Sequence, residues 1–430
     1  MKSYRILIPI ALVLVMVLSV YSFLRDKRKA QDLYNGYLYS AEYCVKEQLF
    51  VDAIAYYKEA AKLKPSLAVD KSIIDCYAEQ GNNVENMYEA LLEDYPEEAA
   101  AYEFAIEYYI SQGKYAMAHD VQETSAKREI KSEKINQMIA EIQYYYNLKR
   151  TDYQEIGEYY NDYCIVKSKN DRYGIVGTNG GIALGCSYIQ ISNYSDSLFA
   201  VEDLEGGIYW IDLQGNRRKN YGGETEVIQL GPVVSGIFWA KSGDGTYAYY
   251  NSESQKISGD FEETTSFADG VAAVLDGSWY IVDSDIQHID DIPYSIVVTN
   301  ENGYVSNSER LFVGDSSGYH MVDTNGKIIS ETIYQDAKLF IDGVAAAVKI
   351  DGKWGYVNTN GELVVEPQYE DARSFSNGYA AVKVDDKWGF INIEKKFVIE
   401  PQFEEVRDFT VSGNCFVMRD GEWSLLSFYN

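Results

Sequence analysis

Near its C-terminal end the chain states the same sentence twice. Residues 343–358 read GVAAAVKIDGKWGYVN and residues 378–392 read GYAAVKVDDKWGFIN. Each copy runs on into a β-branched stretch and then Glu-Pro-Gln-aromatic, at Glu366–Tyr369 and Glu400–Phe403. A unit this short cannot bury an apolar face alone, so the chain must stack copies of it. Aromatic residues in equivalent settings extend backward: Tyr173, Tyr209, Tyr247, Trp279, Tyr319, Trp354, Trp388 and Trp423. Their spacings are 36, 38, 32, 40, 35, 34 and 35 residues, and so even a ladder demands a repeat architecture from about residue 162 to the end.

The unit reads as β-structure. Asp-Gly or Asp-Asp ahead of the Trp supplies the positive φ of a tight hairpin turn. Ala-Val-Lys-Val on one side and Trp-Gly-aromatic on the other alternate as paired half-buried strands do. Trp354, Trp388 and their counterparts fill space between units, while Gly355 and Gly389 let backbone approach closely. Asn/Asp-x-x-Gly then turns the chain into a further strand. These residues resemble the WG-repeat family of bacterial proteins, strongly over residues 340–405 and more faintly upstream, where Tyr209 and Tyr247 are weak members and Trp239 is out of register. Three or four short strands per unit suit a β-propeller of seven or eight blades, with an open β-solenoid as the alternative. The chain opens and closes this region with the same hairpin pair, at 164–176 and 415–428, so first and last pieces can share or abut a blade and leave no edge.

Residues 27–155 have a helical composition, with Pro65 and Pro96 as stops. Tyr37, Ala41, Ala53, Tyr57, Ala60 and Pro65 follow an order that resembles the tetratricopeptide repeat. Tyr102, Ala105, Ile106, Tyr109, Gly113, Tyr115 and Ala118 repeat it, and a degenerate unit lies between, turning at 80–83. Cys44 and Ser40 depart from the family pattern. The resemblance implies paired helices whose small residues allow close packing and whose concave face binds peptides.

Ile6–Leu24 carries no charge over 19 residues, a length of about 28 Å as a helix and close to a bilayer core. Basic residues flank it on both sides, and the best cleavage pattern is followed by Phe23 and a basic cluster, so an uncleaved anchor over 1–26 is expected rather than a signal peptide. The count of positive charges slightly favours a cytoplasmic C-terminal flank, but a five-residue tail ahead of the anchor favours placing the repeat regions outside the cytoplasm of a single-pass cell-membrane protein.

Charge narrows the function. Lys and Arg number 38 against 66 Asp and Glu, a net of −28, which repels phosphate backbones and argues against nucleic acid. Five scattered cysteines form no CxxC, and three histidines leave little for zinc or triad chemistry. Gly314–Gly318 matches GxSxG, but a strand-like stretch follows where a nucleophile elbow needs a helix. Residues 241–245 lack the acids of a calcium loop. Glu366 and Glu400 occupy equivalent units and read as solvated strand ends. His320 stands where the family has Gly and reads as a tolerated substitution. No catalytic, cofactor or metal residues are assigned. The expectation is a membrane-anchored, non-enzymatic binding or scaffold protein with a protein or cell-envelope polymer partner. A structural envelope component, or a hydrolase using a propeller channel, are the alternatives.

Overall fold

The computed structural model describes residues 4–289 and 292–429, with side chains described at Met16 and from Leu18 onward, and divides into two compact units. The first holds seven helices: α1 (Tyr4–Lys46), α2 (Phe50–Leu63), α3 (Leu67–Glu79), α4 (Glu85–Asp94), α5 (Ala99–Ser111), α6 (Tyr115–Lys127) and α7 (Glu133–Ile142). Consecutive helices pack on one another through the small residues singled out by spacing. Ala41, Ala53, Ala60, Ala105 and Ala118 are fully buried, with Tyr57, Tyr102 and Tyr109 beside them. The turn expected at 80–83 separates α3 from α4, and Gly113 separates α5 from α6. Among the described residues no helix is long and apolar enough to cross a membrane. The expected anchor, Ile6–Leu24, falls mostly on residues whose side chains lie outside the described set, so the structure lends it no support.

The second unit, Tyr146–Phe428, is an eight-bladed β-propeller. Blade 7 shows the plan: a two-residue inner strand Asp371–Ala372, then Tyr379–Val384, Lys387–Asn392 and Phe397–Phe403, each antiparallel to the last. Blades 1, 2 and 6 are also four-stranded. In blades 3, 4 and 5 the outermost strand is reduced to isolated bridges such as Tyr247–Phe261, Trp279–Tyr294 and Tyr319–Tyr334. In blades 2 to 7 the chain leaves the third strand on an Asx motif: the Oδ1 of Asp212, Asn251, Asp283, Asp323, Asn358 and Asn392 accepts two N–H groups from the following turn.

Apolar faces of adjacent blades meet in a ring of small cores. Phe199 and Ile175 join blades 1 and 2, Trp210 and Phe238 blades 2 and 3, Phe312 and Phe340 blades 5 and 6. Ile156 and Val176 of blade 1 pack on Phe416 and Trp423 of blade 8, which closes the ring. The outer strand of blade 8 is Tyr146–Arg150, paired to Glu422–Phe428 over five residues. Closure therefore uses strands Tyr146–Arg150 and Tyr153–Tyr160, upstream of the β-region expected from residue 162 and largely inside the stretch assigned to helix. The sequence hides the first because it is Asn-, Lys- and Arg-rich: an outermost strand exposes one face and needs no apolar alternation.

Candidate functional site

The repeating aromatics come first, because they prove to be scaffold. Tyr173, Tyr209, Tyr247, Trp279, Tyr319, Trp354, Trp388 and Trp423 each sit at the start of the third strand of one blade, blades 1 to 8 in order. Trp354 and Trp423 are buried; the other six are half-buried. Basic side chains lie over several rings, Arg217 over Tyr209 at 3.9 Å, Lys338 over Trp354 at 4.8 Å and Arg407 over Trp423 at 4.7 Å. A Cβ on Gly355 would lie 2.5 Å from the Val365 carbonyl oxygen, and one on Gly389 2.6 Å from that of Ile399. The third and fourth strands are thus in backbone contact at a bulge, and Pro367 and Pro401, which lack an N–H, occupy it.

The residues that differ between blades converge on the central channel. Three cations follow the inner strand at one repeat position: Lys338, Arg373 and Arg407 in blades 6, 7 and 8. Arg373 is committed to carboxylates. Its Nε and Nη2 donate to the two oxygens of Asp408 at 2.8 and 3.0 Å, it pairs closely with Glu158 of blade 1, and its Nη1 lies 3.5 Å from Glu301. Arg407 donates to the Ile156 carbonyl at 2.7 Å and lies 3.4 Å from Glu158. Burial pushes the Glu158 carboxyl up to about 8, Arg373 pulls it back, and Asp408 and Glu301 push it further up. Burial by itself disfavours the Arg373 cation, and Asp408 and Glu158 more than restore it. Lys338 is held 2.9 Å from Asp371.

A loop of blade 5 crosses the channel. Its connection between first and second strands occupies 298–309, against 373–378 in blade 7. Asn300 Oδ1 accepts from the N–H of Asn302 (3.1 Å) and Tyr304 (3.0 Å), and Gly303 turns the tip at φ +78°. The tip is tied to four blades. Asn193 Nδ2 donates to the Asn302 carbonyl (2.9 Å), Ser266 N–H to that of Gly303 (2.9 Å), Tyr304 stacks on Tyr160 (4.2 Å), and Glu301 reaches Arg373.

This tip lies between two cavities, and Asn302 lines both. One, about 190 Å³, is bounded by Gln190, Ser192, Trp239 and Thr264. The other is a funnel of about 640 Å³. Asn161, Asp162, Val234, Asp269, Ile341 and Val411 contribute to it, all from connections between first and second strands, so the funnel opens on the face that carries those connections.

The remaining sequence candidates do not join the channel. Ser317, His320 and Asp315 do come together at the GxSxG turn, but in a non-productive order. The Ser317 hydroxyl donates to Asp315 at 2.5 Å, and the same His320 Nε2 faces both Ser317 (3.4 Å) and Asp315 (3.5 Å). A relay needs the acid on the other ring nitrogen. At 241–245, Asp244 is taken up by Ser242 and Thr246 within the turn, and the Ser242 hydroxyl holds its carboxyl down at about 2. Glu366 and Glu400 are exposed on separate blades. Sequence reasoning missed the channel network and the crossing loop. Two signals existed: the interval of 40 residues between Trp279 and Tyr319, the longest in the ladder, and the recurrent cation of blades 6 to 8.

A model of the WG containing repeat matches three consecutive stretches, 321–354, 354–388 and 388–423. No curated protein sequence matches the chain. Among solved structures it is similar to BamB from Moraxella catarrhalis, at 14% identity and TM-score 0.41, covering 66% of this chain and 98% of that one. It is also similar to the WD40 propeller domain of Doa1, at 14% identity and TM-score 0.31, covering 66% and 97%.

Proposed function

We propose that this chain is a non-enzymatic interaction protein whose propeller funnel receives a protein partner. In this reading the helical unit, with its resemblance to tetratricopeptide repeats, offers a second recognition surface. The Ile6–Leu24 run holds both at a cell membrane, on its outer side. The observation that carries it is the division of labour among the repeats. Positions shared by all blades are spent on inter-blade cores, while positions that vary line a cavity of about 640 Å³ open to one face. The raised carboxyl of Glu158 is what a hydrolase reading would draw on, yet Glu158 and Asp408 are bound to Arg373 rather than free to move a proton.

A photo-crosslinking amino acid placed at Val411, 78% exposed at the funnel, and separately at Ile182, 71% exposed on the outermost strand of blade 1, tests the reading in cells. A discrete protein adduct from position 411 alone supports it. No adduct from 411, or equal adducts from both positions, overturns it. A tag after Asn430, probed on intact and permeabilised cells, tests the proposed membrane face.

A further inference from the structure

The propeller is strongly acidic. Between Tyr146 and Phe428 there are 44 Asp and Glu against 22 Lys and Arg, a net of −22. The funnel concentrates that excess. Glu158, Asp162, Asp269, Glu301 and Asp408 line it, with Lys338 and Arg373 as the opposing cations. Both cations are already neutralised, Lys338 by Asp371 and Arg373 by Asp408 and Glu158, so neither is left to balance the carboxylates nearer the mouth. Glu301 stands half-exposed on the crossing loop with only a 3.5 Å contact to Arg373, and Asp162 is exposed. A concave, low-dielectric wall focuses such a field and draws in cations.

A second observation is independent of charge. Tyr304, in the same crossing loop, is buried in the funnel lining with its ring stacked on Tyr160 at 4.2 Å. The mouth is also apolar: Val411 and Ile341 are exposed there, and Phe267, Phe340 and Phe409 contribute to the wall.

We infer that the funnel is the docking site for an extended peptide segment in which a basic side chain, arginine or lysine, alternates with apolar ones. The basic group enters the funnel toward Glu301 and Asp162, and the apolar neighbours rest on Val411 and Ile341. Arginine suits the site best, since its planar fork presents several donors at once. This inference rests on the interaction-protein reading and specifies the chemistry of its partner.

The test is fluorescence anisotropy on the full chain, using a labelled ten-residue peptide of alternating Arg and Leu. The comparison peptide has Gln in place of each Arg. Expected are saturable binding of the Arg peptide, at least tenfold weaker binding of the Gln peptide, and weakening as salt rises from 50 to 500 mM. Glu301→Gln combined with Asp162→Asn is expected to weaken the Arg peptide about tenfold or more. Asp351→Asn combined with Asp385→Asn, in hairpin turns between second and third strands, leaves it within twofold. Unchanged tryptophan emission certifies the fold of each variant. Equal binding by the funnel variant and the wild type, or equal binding of the two peptides, overturns the inference. So does absence of saturation up to millimolar peptide. If position 411 still crosslinks a protein in cells while the Arg peptide fails to bind, the interaction reading stands and the basic-peptide inference alone falls.

Discussion

Replacing Gly389 with alanine examines why Gly follows Trp in this repeat. The new Cβ would lie 2.6 Å from the Ile399 carbonyl oxygen, 2.7 Å from the Pro401 nitrogen and 2.9 Å from the Glu400 carbonyl carbon. All three are backbone atoms of the fourth strand of blade 7, so no side-chain rotation relieves the contact. Comfortable carbon contacts lie near 3.5 Å, and the strand must retreat by roughly 0.8 Å. Overpacking of this kind costs about 1–3 kcal/mol, and a ladder hydrogen bond weakened by the retreat adds about 1 kcal/mol. For a domain of this size each kcal/mol moves Tm by about 2 °C, giving a drop of about 6 °C. The assay is thermal unfolding followed by tryptophan fluorescence. All six tryptophans lie between residues 210 and 423, so the signal reports the propeller alone. Gly259→Ala is the reference, because nothing lies within 4 Å of a Cβ there and its φ is not positive. A Gly389→Ala variant melting within 2 °C of Gly259→Ala would refute the argument that backbone contact, rather than turn flexibility, requires glycine here.

Arg373→Met should cost about 3–5 kcal/mol, because it strips half-buried Asp408 of its cation and leaves buried Glu158 with Arg407 alone. Arg150→Ala, which removes an exposed pair with Glu422, should cost less than about 1 kcal/mol; chemical denaturation followed by tryptophan emission compares them, and equal losses would contradict the buried network. Asn358→Ala should lower propeller stability by about 1–2 kcal/mol through loss of two accepted N–H bonds, with Asn358→Asp restoring it in the same assay. Burial lowers the His119 pKa in the helical unit. The unfolded chain, titrating near 6.5, therefore takes up the proton first as pH falls. The stability His119 contributes is present above about pH 6.5 and lost as pH drops toward the folded value. Helix melting at 222 nm should be more acid-sensitive in the wild type than in His119→Leu, and parallel losses would remove His119 as the cause.

How much could be read in advance depended on what each residue was doing. Trp354 and Trp388 solve a packing problem that an aromatic solves in every blade, and Gly355 and Gly389 repeat beside them, so the period is legible. The Asx turns at Asn358 and Asn392 recur for the same reason. The channel is different. Arg373, Asp408, Glu158 and Glu301 come from four blades and meet only because the ring brings them together, leaving no local pattern to find. The crossing loop at 298–309 leaves a trace as a stretched interval, but length alone does not say that it turns inward. Tyr146–Arg150 was hidden in another way: an outermost strand with polar faces resembles the end of a helical region, and its role is set by Glu422–Phe428, far along the chain.

That last pairing fixes the order in which the molecule can be completed. Leu148 waits for Leu426 as its partner, so the loop closed by this contact spans nearly the whole propeller. Bringing such ends together costs about 5 kcal/mol of chain entropy, and no fragment shorter than the full propeller can repay it. During synthesis seven blades can stack while the first and last faces stay open to solvent, and the ring locks only when its final dozen residues emerge. A premature stop just short of Glu422 would therefore abolish the lock itself, leaving nearly all the repeats in an arc with two adhesive ends.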